Sequence, residues 1–229
     1  MAATPEEPNK FGTEPKRVKV WDLPTRLFHW LLVVFVVASF TTAEIGGNAM
    51  PYHQKSGYII LTLLLFRVAW GFFGSHPSRF ASFVCFPATV LRYVTESLSR
   101  RSPRYFGHNP LGGWSIIAML LAILVQSGTG LFANDDIFTE GPLAHLVSKA
   151  ASDWLTRIHR LNSDFIVTLV IIHLVAVSFH LLVIRENLIT PMITGFKMWS
   201  GRVHSSGGHP WVAVGLALLS ALAVYLLVR

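Results

Sequence analysis

The chain has 229 residues, of which 52% are hydrophobic, 14% are charged and one is cysteine. Soluble domains carry charge on about a quarter of their residues, so this composition excludes a disordered chain and indicates a membrane protein. The single cysteine excludes a disulfide framework, a cysteine-ligated iron–sulfur cluster and the attachment of a c-type haem. The formal net charge of +7 then indicates basic loops at a membrane surface and no nucleic-acid partner.

Five apolar runs of 17 to 21 residues follow one another along the chain. The second contains one charged residue, Arg67, and the other four contain none. A helix of this length crosses a hydrocarbon core of about 30 Å. We therefore predict an all-α membrane protein, with a four-helix transmembrane bundle and a fifth, C-terminal transmembrane helix. The runs lie at residues 27–43, 57–73, 112–132, 165–184 and 211–228.

The chain divides into three parts on this pattern. Residues 1–16 are predicted to be a disordered cytoplasmic tail, residues 17–200 the bundle, and residues 201–229 a linker and the additional helix. A cleaved signal peptide is the alternative interpretation of the first run. That run begins only after 26 mostly polar residues, and no small-x-small site after Phe40 is a convincing cleavage site, so we predict that it is a permanent span.

The segment at 75–111 is too long for a simple connection between two spans. Most of its apolar residues fall on one helical face, which predicts a short amphipathic helix on the cytoplasmic membrane surface, broken near Pro87. The alternative is that this segment packs under the bundle. The apolar residues are Phe80, Phe83, Val84, Leu91, Val94 and Leu98.

The basic residues of the loops predict the orientation. If the spans alternate in direction, thirteen Lys and Arg residues fall on the side of the N-terminus and five fall on the other side. Cytoplasmic loops carry the excess of Lys and Arg, so we predict a cytoplasmic N-terminus in a bacterial inner membrane. An acidic segment at 134–158 then lies on the outer side of the membrane. It is either a docking surface for a basic partner or only a consequence of the excess of Lys and Arg in cytoplasmic loops.

Histidines inside membrane helices are costly and by default suggest function. His159 and His173 are fourteen residues apart in the fourth span. Fourteen steps of 100° return almost to the starting direction, so both rings lie on one helix face, separated by about 21 Å along the axis. Imidazole is a common axial ligand of haem iron, and one such helix can hold two stacked haems.

The alternating topology supplies a second histidine at each depth. His53 begins the second span at the outer surface, level with His159. His29 lies about 13 residues before the outer end of the first span, or about 20 Å deep, which matches His173. We call His53 and His159 the outer pair, and His29 and His173 the inner pair.

Two alternatives compete with this interpretation. His180 is the rival to His173, but it lies about 31 Å below His159 and therefore at or beyond the inner boundary; it is a candidate for a bond to a haem propionate or for a quinone pocket. The histidines also suit polar contacts between helices or a metal transporter. A transporter normally needs carboxylates in the membrane, and none of the five runs contains Asp or Glu.

An ordered set of motifs accompanies these histidines. It consists of Arg26, His29 and Trp30; then His53 and Gly57; then Arg67 and Trp70; then His159 and Arg160; and finally His173. With this set, the chain resembles the bacterial cytochrome b561 and nickel–iron hydrogenase b-type cytochrome superfamily over roughly residues 18–200. The resemblance implies that the four histidines of the two pairs ligate two haems b. The fifth span departs from the four-span core of that family.

The resemblance also implies a quinone as one redox partner. The predicted function is a diheme b-type cytochrome that moves electrons across the inner membrane between the quinone pool and a periplasmic redox partner such as a c-type cytochrome. One alternative is a stand-alone superoxide or metal oxidoreductase. Another is the b-type cytochrome anchor subunit of a hydrogenase-like complex, with a catalytic redox subunit as its partner.

Three further residues are candidates for cofactor binding. Gly57 is one turn after His53, where the missing side chain lets a haem approach or a helix pack. Arg67 lies near the inner level and suits an inner propionate or snorkels to the interface. Arg160, with Lys55 and Arg157, is predicted to neutralise outer propionates, or to be an interfacial anchor.

Overall fold

Five helices of the computed structural model are long and apolar enough to cross a membrane. The structure describes residues 14–98, 104–137, 139–201, 203 and 208–229. In chain order the elements are β1 Lys16–Lys19, α1 Leu23–Ile45, α2 Met50–Phe73, α3 Phe80–Phe83, α4 Pro87–Leu98, α5 Pro110–Gly130, α6 Lys149–Phe179, a π-helical turn His180–Ile184, α7 Ile189–Thr194, β2 Phe196–Trp199 and α8 Pro210–Val228. The five long helices are α1, α2, α5, α6 and α8, which confirms the predicted all-α membrane class.

The fourth span is longer than its apolar run. Helical structure from Lys149 to Ile184 covers 36 residues, or about 54 Å at 1.5 Å per residue, which exceeds the hydrocarbon thickness. The acidic segment at 134–158, expected as an outer loop, is therefore helical from Lys149 onward, because hydropathy reports burial in lipid and not helix formation. Residues 149–164 are polar on one side yet helical throughout.

One compact unit of the chain comprises the described residues within 14–27, 69–117 and 172–213. Within it, β1 pairs antiparallel with β2, in the register Lys16 with Trp199 and Lys19 with Phe196. Val20, Trp21, Phe106 and Trp199 form a buried cluster beside this pair. Lys16 thus belongs to a strand and not to a tail. Residues 1–13, and residues 202 and 204–207 of the predicted linker, lie outside the described residues.

A buried carboxylate organises the same unit. Asp22 caps the N-terminus of α1, accepting the Thr25 backbone N–H at 2.7 Å. Its second oxygen accepts the Trp70 indole N–H at 3.1 Å and the hydroxyl groups of Ser75 and Ser78. Trp70, Ser75 and Ser78 have no exposed surface. One carboxylate therefore satisfies donors from the start of α1, the end of α2 and the turn that follows it.

The connection from α2 to α5 contains the predicted break. α3 ends before residue 84 and α4 begins at Pro87. Phe83 is buried, whereas Phe86 and Leu91 are among the most exposed apolar side chains of this unit. The segment therefore combines both interpretations: α3 packs on the protein, and α4 presents apolar side chains outward.

The sequence GHNPLGG at 107–113 has a structural role in this connection. Asn109 Oδ1 accepts the Gly112 N–H at 2.7 Å, and Pro110 opens α5. A Cβ on Gly113 would lie 2.7 Å from the carbonyl oxygen of Phe83, so only glycine allows this approach. The motif caps α5 and seats it against the end of α3.

The second compact unit comprises residues 28–68, 118–171 and 214–229. It contains segments of all five long helices and the connection between α5 and α6. In that connection Asn134 is buried and donates to Ser152 Oγ at 2.5 Å, and Ser152 Oγ donates to the Phe132 carbonyl at 2.6 Å. These bonds fix the loop to the first two turns of α6.

We expect Asp22→Ala to lower the free energy of unfolding by about 3 kcal/mol, because it leaves several buried donors without an acceptor. Glu44→Ala is the matched control, since Glu44 is exposed near the end of α1. Unfolding followed by circular dichroism in detergent micelles checks the difference. Equal destabilisation by the two substitutions would contradict the role given to Asp22.

Candidate functional site

The structure brings the outer pair together. The ring centroids of His53 and His159 are 6.1 Å apart, and the ring planes are 85° to each other. The two residues come from α2 and α6 and are 106 positions apart in the sequence. The depth match between them, predicted from helix rise and topology, corresponds to a side-chain contact.

Backbone carbonyls orient both rings. His53 Nδ1 is 2.9 Å from the Ser39 carbonyl oxygen on α1. His159 Nδ1 is 3.0 Å from the Gln126 carbonyl oxygen on α5. A carbonyl only accepts, so each Nδ1 carries the hydrogen and each Nε2 keeps its lone pair. Both imidazoles are thus held as the tautomer that binds a metal through Nε2.

The spacing of the rings fits one metal ion between them. Metal–imidazole nitrogen distances are about 2 Å, so two imidazoles on opposite sides of one ion have ring centroids roughly 6 Å apart. The observed separation is 6.1 Å. The donor set also fits, because two neutral imidazoles are a usual axial pair for haem iron.

Polar side chains of α5 and α6 surround His159. Gln126 Nε2 lies 3.1 Å from His159 Nε2, and Asn162 Nδ2 donates to Gln126 Oε1 at 2.7 Å. Thr129 Oγ1 is 3.3 Å from His159 Nδ1. Gln126 thus joins α5 to α6, and the sequence pattern did not identify Asn162 or Thr129 as neighbours of His159. The spacing of Gln126, Thr129 and Gly130 on one face of α5 is the signal that marks this position.

Two glycines flank the pair in different ways. A Cβ on Gly57, one turn after His53, would meet nothing within 4 Å. That open space beside the pair is where a flat macrocycle can approach. A Cβ on Gly130 would lie 2.9 Å from Cε1 of His159, so Gly130 makes room for the imidazole itself.

The protein-facing stripe of α6 contains three histidines. Along this helix the less exposed positions recur at Thr156, His159, Ile166, His173 and His180, while the positions between them are mostly exposed. The shared face predicted for His159 and His173 is therefore present in the helix. His180 follows on the same face, at the first residue of the π-helical turn.

The remaining ligand candidate, His29, lies on α1. Its ring is half-buried and meets the Trp30 indole edge-on, with centroids 4.9 Å apart. Arg67 on α2 is 3% exposed. A guanidinium so deeply buried does not snorkel, which leaves a role inside the protein as the better interpretation of Arg67.

Arg160 lies at a shallow cavity of about 180 Å³ together with Arg157. The cavity is also lined by Asp136 and Asp153, so it is not a purely basic patch. Lys55 lies elsewhere, with its ammonium 5.7 Å from the Tyr52 ring centroid.

The acidic segment is folded on itself. Lys149 Nζ pairs with both Asp136 and Asp153. Asp135 Oδ1 accepts the backbone N–H groups of Ile137 and Thr139 at 3.0 and 2.8 Å. These contacts neutralise or occupy the carboxylates, and they do not support a docking surface for a basic partner.

Comparison with known proteins identifies the family of this chain. The family model of prokaryotic cytochrome b561 matches residues 20–195. A probable Ni/Fe-hydrogenase B-type cytochrome subunit of Cupriavidus necator is 26% identical over 81% of this chain and 89% of its own length. The protein of the same description from Azotobacter chroococcum is 24% identical over 80% and 89%. No solved structure matches significantly.

The fold and the matched residues define a multi-pass, haem-binding electron-transfer protein of a membrane. The chain belongs to the prokaryotic cytochrome b561 family. A b-type cytochrome binds haem b. The two imidazoles of the outer pair, each with its hydrogen on Nδ1 and with ring centroids 6.1 Å apart, fit the axial ligation of one haem. A metal transporter gains no support, because the described residues gather no three His, Cys, Asp or Glu side chains at one point.

We expect Gly130→Val to displace the His159 ring and to lower the haem b content per chain. Gly215→Val on α8 is the matched control, because a Cβ there would meet nothing within 4 Å. Both variants place a β-branched residue in a helix, so both have the same intrinsic cost in helix stability. A pyridine haemochrome assay on both purified variants checks this. Full haem content in Gly130→Val would show that haem binding does not depend on the position of the His159 ring.

Proposed function

We propose that this protein binds two haems b, one on the outer pair His53 and His159 and one on the inner pair His29 and His173. The observation that carries the proposal is the outer pair itself, with its centroid separation of 6.1 Å and its two Nδ1 atoms bound to carbonyls. The inner pair follows from the depth argument and from the shared face of His159 and His173 on α6.

The chain's own residues prepare the outer ligands. The carbonyls of Ser39 and Gln126 accept the Nδ1 hydrogens, which fixes ring orientation and raises the basicity of each Nε2. A haem b with two imidazole ligands supplies one-electron transfer and has no open position for oxygen chemistry. Gly57 leaves space at the haem face, Arg67 balances an inner propionate, and Arg160 balances an outer one.

The proposed path runs across the bacterial inner membrane. The excess of basic residues on the side of the N-terminus supports a cytoplasmic N-terminus, with His53 and His159 on the periplasmic side. Electrons then pass between a periplasmic partner and the quinone pool by way of the outer and inner pairs. The fourteen residues between His159 and His173 correspond to about 21 Å along α6, most of a membrane's thickness.

The proposed partner is a catalytic subunit of the Ni/Fe-hydrogenase type. Several relatives that align along most of their length are described as probable Ni/Fe-hydrogenase B-type cytochrome subunits. The anchor-subunit hypothesis is thus better supported than a free carrier that meets a c-type cytochrome. A stand-alone superoxide oxidase is less well supported, because the cations Arg157 and Arg160 share their cavity with Asp136 and Asp153.

The ligand assignment predicts a graded loss of haem. We expect two haems b per wild-type chain, and one per chain in each of His29→Ala, His53→Ala, His159→Ala and His173→Ala. His180→Ala keeps both and is the matched control on α6. Reduced-minus-oxidised spectra with haem quantified per chain check this. Haem loss in His180→Ala with full haem content in His173→Ala would show that His180, and not His173, ligates the inner haem.

The partner assignment predicts that hydrogen gas reduces the haems in native membranes. Under hydrogen we expect the reduced b-type spectrum in wild type and none in His53→Ala, because the outer pair receives the electrons. Quinol added under argon still reduces the inner haem of that variant. Reduction by a periplasmic c-type cytochrome or by superoxide, with no response to hydrogen, would replace the hydrogenase partner by one of the alternatives.

A further inference from the structure

The end of α6 holds a histidine and a carboxylate that the proposed electron path does not use. His180 opens the π-helical turn His180–Ile184, and Arg185 then takes the left-handed conformation, with φ of 59°. This reversal lets the Glu186 N–H donate to the His180 carbonyl at 2.9 Å. It also places His180 Nδ1 3.4 Å from Glu186 Oε2. π-helical turns and left-handed non-glycine residues occur often at functional sites.

The pair is largely removed from solvent. The side chains of His180 and Glu186 are 13% and 23% exposed. Lys197 on β2 reaches the other Glu186 oxygen at 3.9 Å and donates to the Tyr105 carbonyl at 2.5 Å. We call His180 and Glu186 the terminal pair. A buried imidazole that faces a carboxylate can hold a proton which bulk solvent reaches only at the helix end.

The charged groups around the terminal pair keep the carboxylate ionised. Burial opposes ionisation of Glu186, but the contact with His180 and the charges of Lys197 and Arg104 outweigh burial and lower the pKa of Glu186. Burial raises the pKa of Tyr105 to about 12, so that phenol stays neutral.

The terminal pair is near the proposed inner ligand. His180 lies seven residues after His173 on the same helix face, a rise of about 10 Å. A negative charge that arrives about 10 Å away raises the affinity for a proton by roughly tenfold at an effective dielectric constant of about 20.

We propose that the terminal pair of His180 and Glu186 is a proton-binding site that is coupled to reduction of the haem iron at His173. With a haem held at His173, the imidazole of His180 would take up one proton from the aqueous phase for each electron that the ferric iron accepts from the proposed electron path. When the electron leaves, the proton leaves. No covalent bond other than N–H forms or breaks, and the local net charge is preserved. This inference rests on the proposed ligation by His173.

The coupling makes the midpoint potential of the inner haem depend on pH. The potential falls as pH rises, because reduction without the accompanying proton is less favourable. A tenfold change in proton affinity corresponds to a total fall of about 59 mV for a one-electron couple. Redox titration of the purified protein between pH 5 and pH 9, followed at the b-type absorbance bands, measures this fall.

Two variants test the terminal pair. His180→Gln removes the proton site, and we expect it to abolish the pH dependence of the inner potential. Glu186→Gln keeps the imidazole but removes the anion that stabilises its proton, and we expect the pH dependence to move to lower pH. The matched controls are His209→Gln and Glu44→Gln, both distant from the pair in sequence, and the outer haem of each variant is an internal reference.

The outcomes separate this inference from the proposed ligands. Haem loss in His173→Ala together with an unchanged pH dependence in His180→Gln would overturn the inference and leave the haem assignment intact. Full haem content in His173→Ala would overturn the assignment itself. A lower melting temperature in His180→Gln, with the wild-type pH dependence retained, would show that the terminal pair only fastens the end of α6 and would also overturn the inference.

Discussion

Polar groups inside a membrane have no water to bind, so the imidazoles of this chain depend on partners that the protein supplies. The outer pair shows how this is met. Each ring gives its Nδ1 hydrogen to a backbone carbonyl of a neighbouring helix. Helical carbonyls are already bonded within their own helix, so Ser39 and Gln126 use the second lone pair of an oxygen. The same bonds that satisfy the rings also leave both Nε2 atoms as the free lone-pair nitrogens, so the stability of the rings and their suitability as ligands have one cause.

The need for satisfied polar groups also explains the position of the buried charges. Asp22 lies where α1 begins, so its carboxylate meets the unpaired N–H groups of a helix N-terminus and the hydroxyls of Ser75 and Ser78. Glu186 lies just after the π-helical turn and meets His180 and Lys197. Both carboxylates lie next to a span and not within it, where an unpaired charge is most costly.

The sequence predicts the helices and the outer pair well, because both depend on simple periodicities. Helix rise and alternating topology suffice to place His53 level with His159. Three features depend on contacts between distant residues and escape such reasoning: the β1–β2 pairing, the Asp22 cluster and the return of Glu186 to His180. The early start of α6 at Lys149 escapes for another reason. Hydropathy marks where a helix meets lipid, and its polar first turns, which the Asn134 bonds hold, are invisible to that measure.

The charges near the two ends of α6 differ in how they are paired, and this difference bears on electron transfer. Near its start, Lys149 pairs with Asp136 and Asp153, and all three side chains are largely exposed. Water and salt screen these charges, so they have little effect on the potential of a haem at the outer pair. At the other end, His180, Glu186 and Lys197 are largely buried, and their field is weakly screened. A charge at the terminal pair is therefore screened less than an exposed charge near the start of α6. The buried end of this helix is the one at which we propose a proton-binding site.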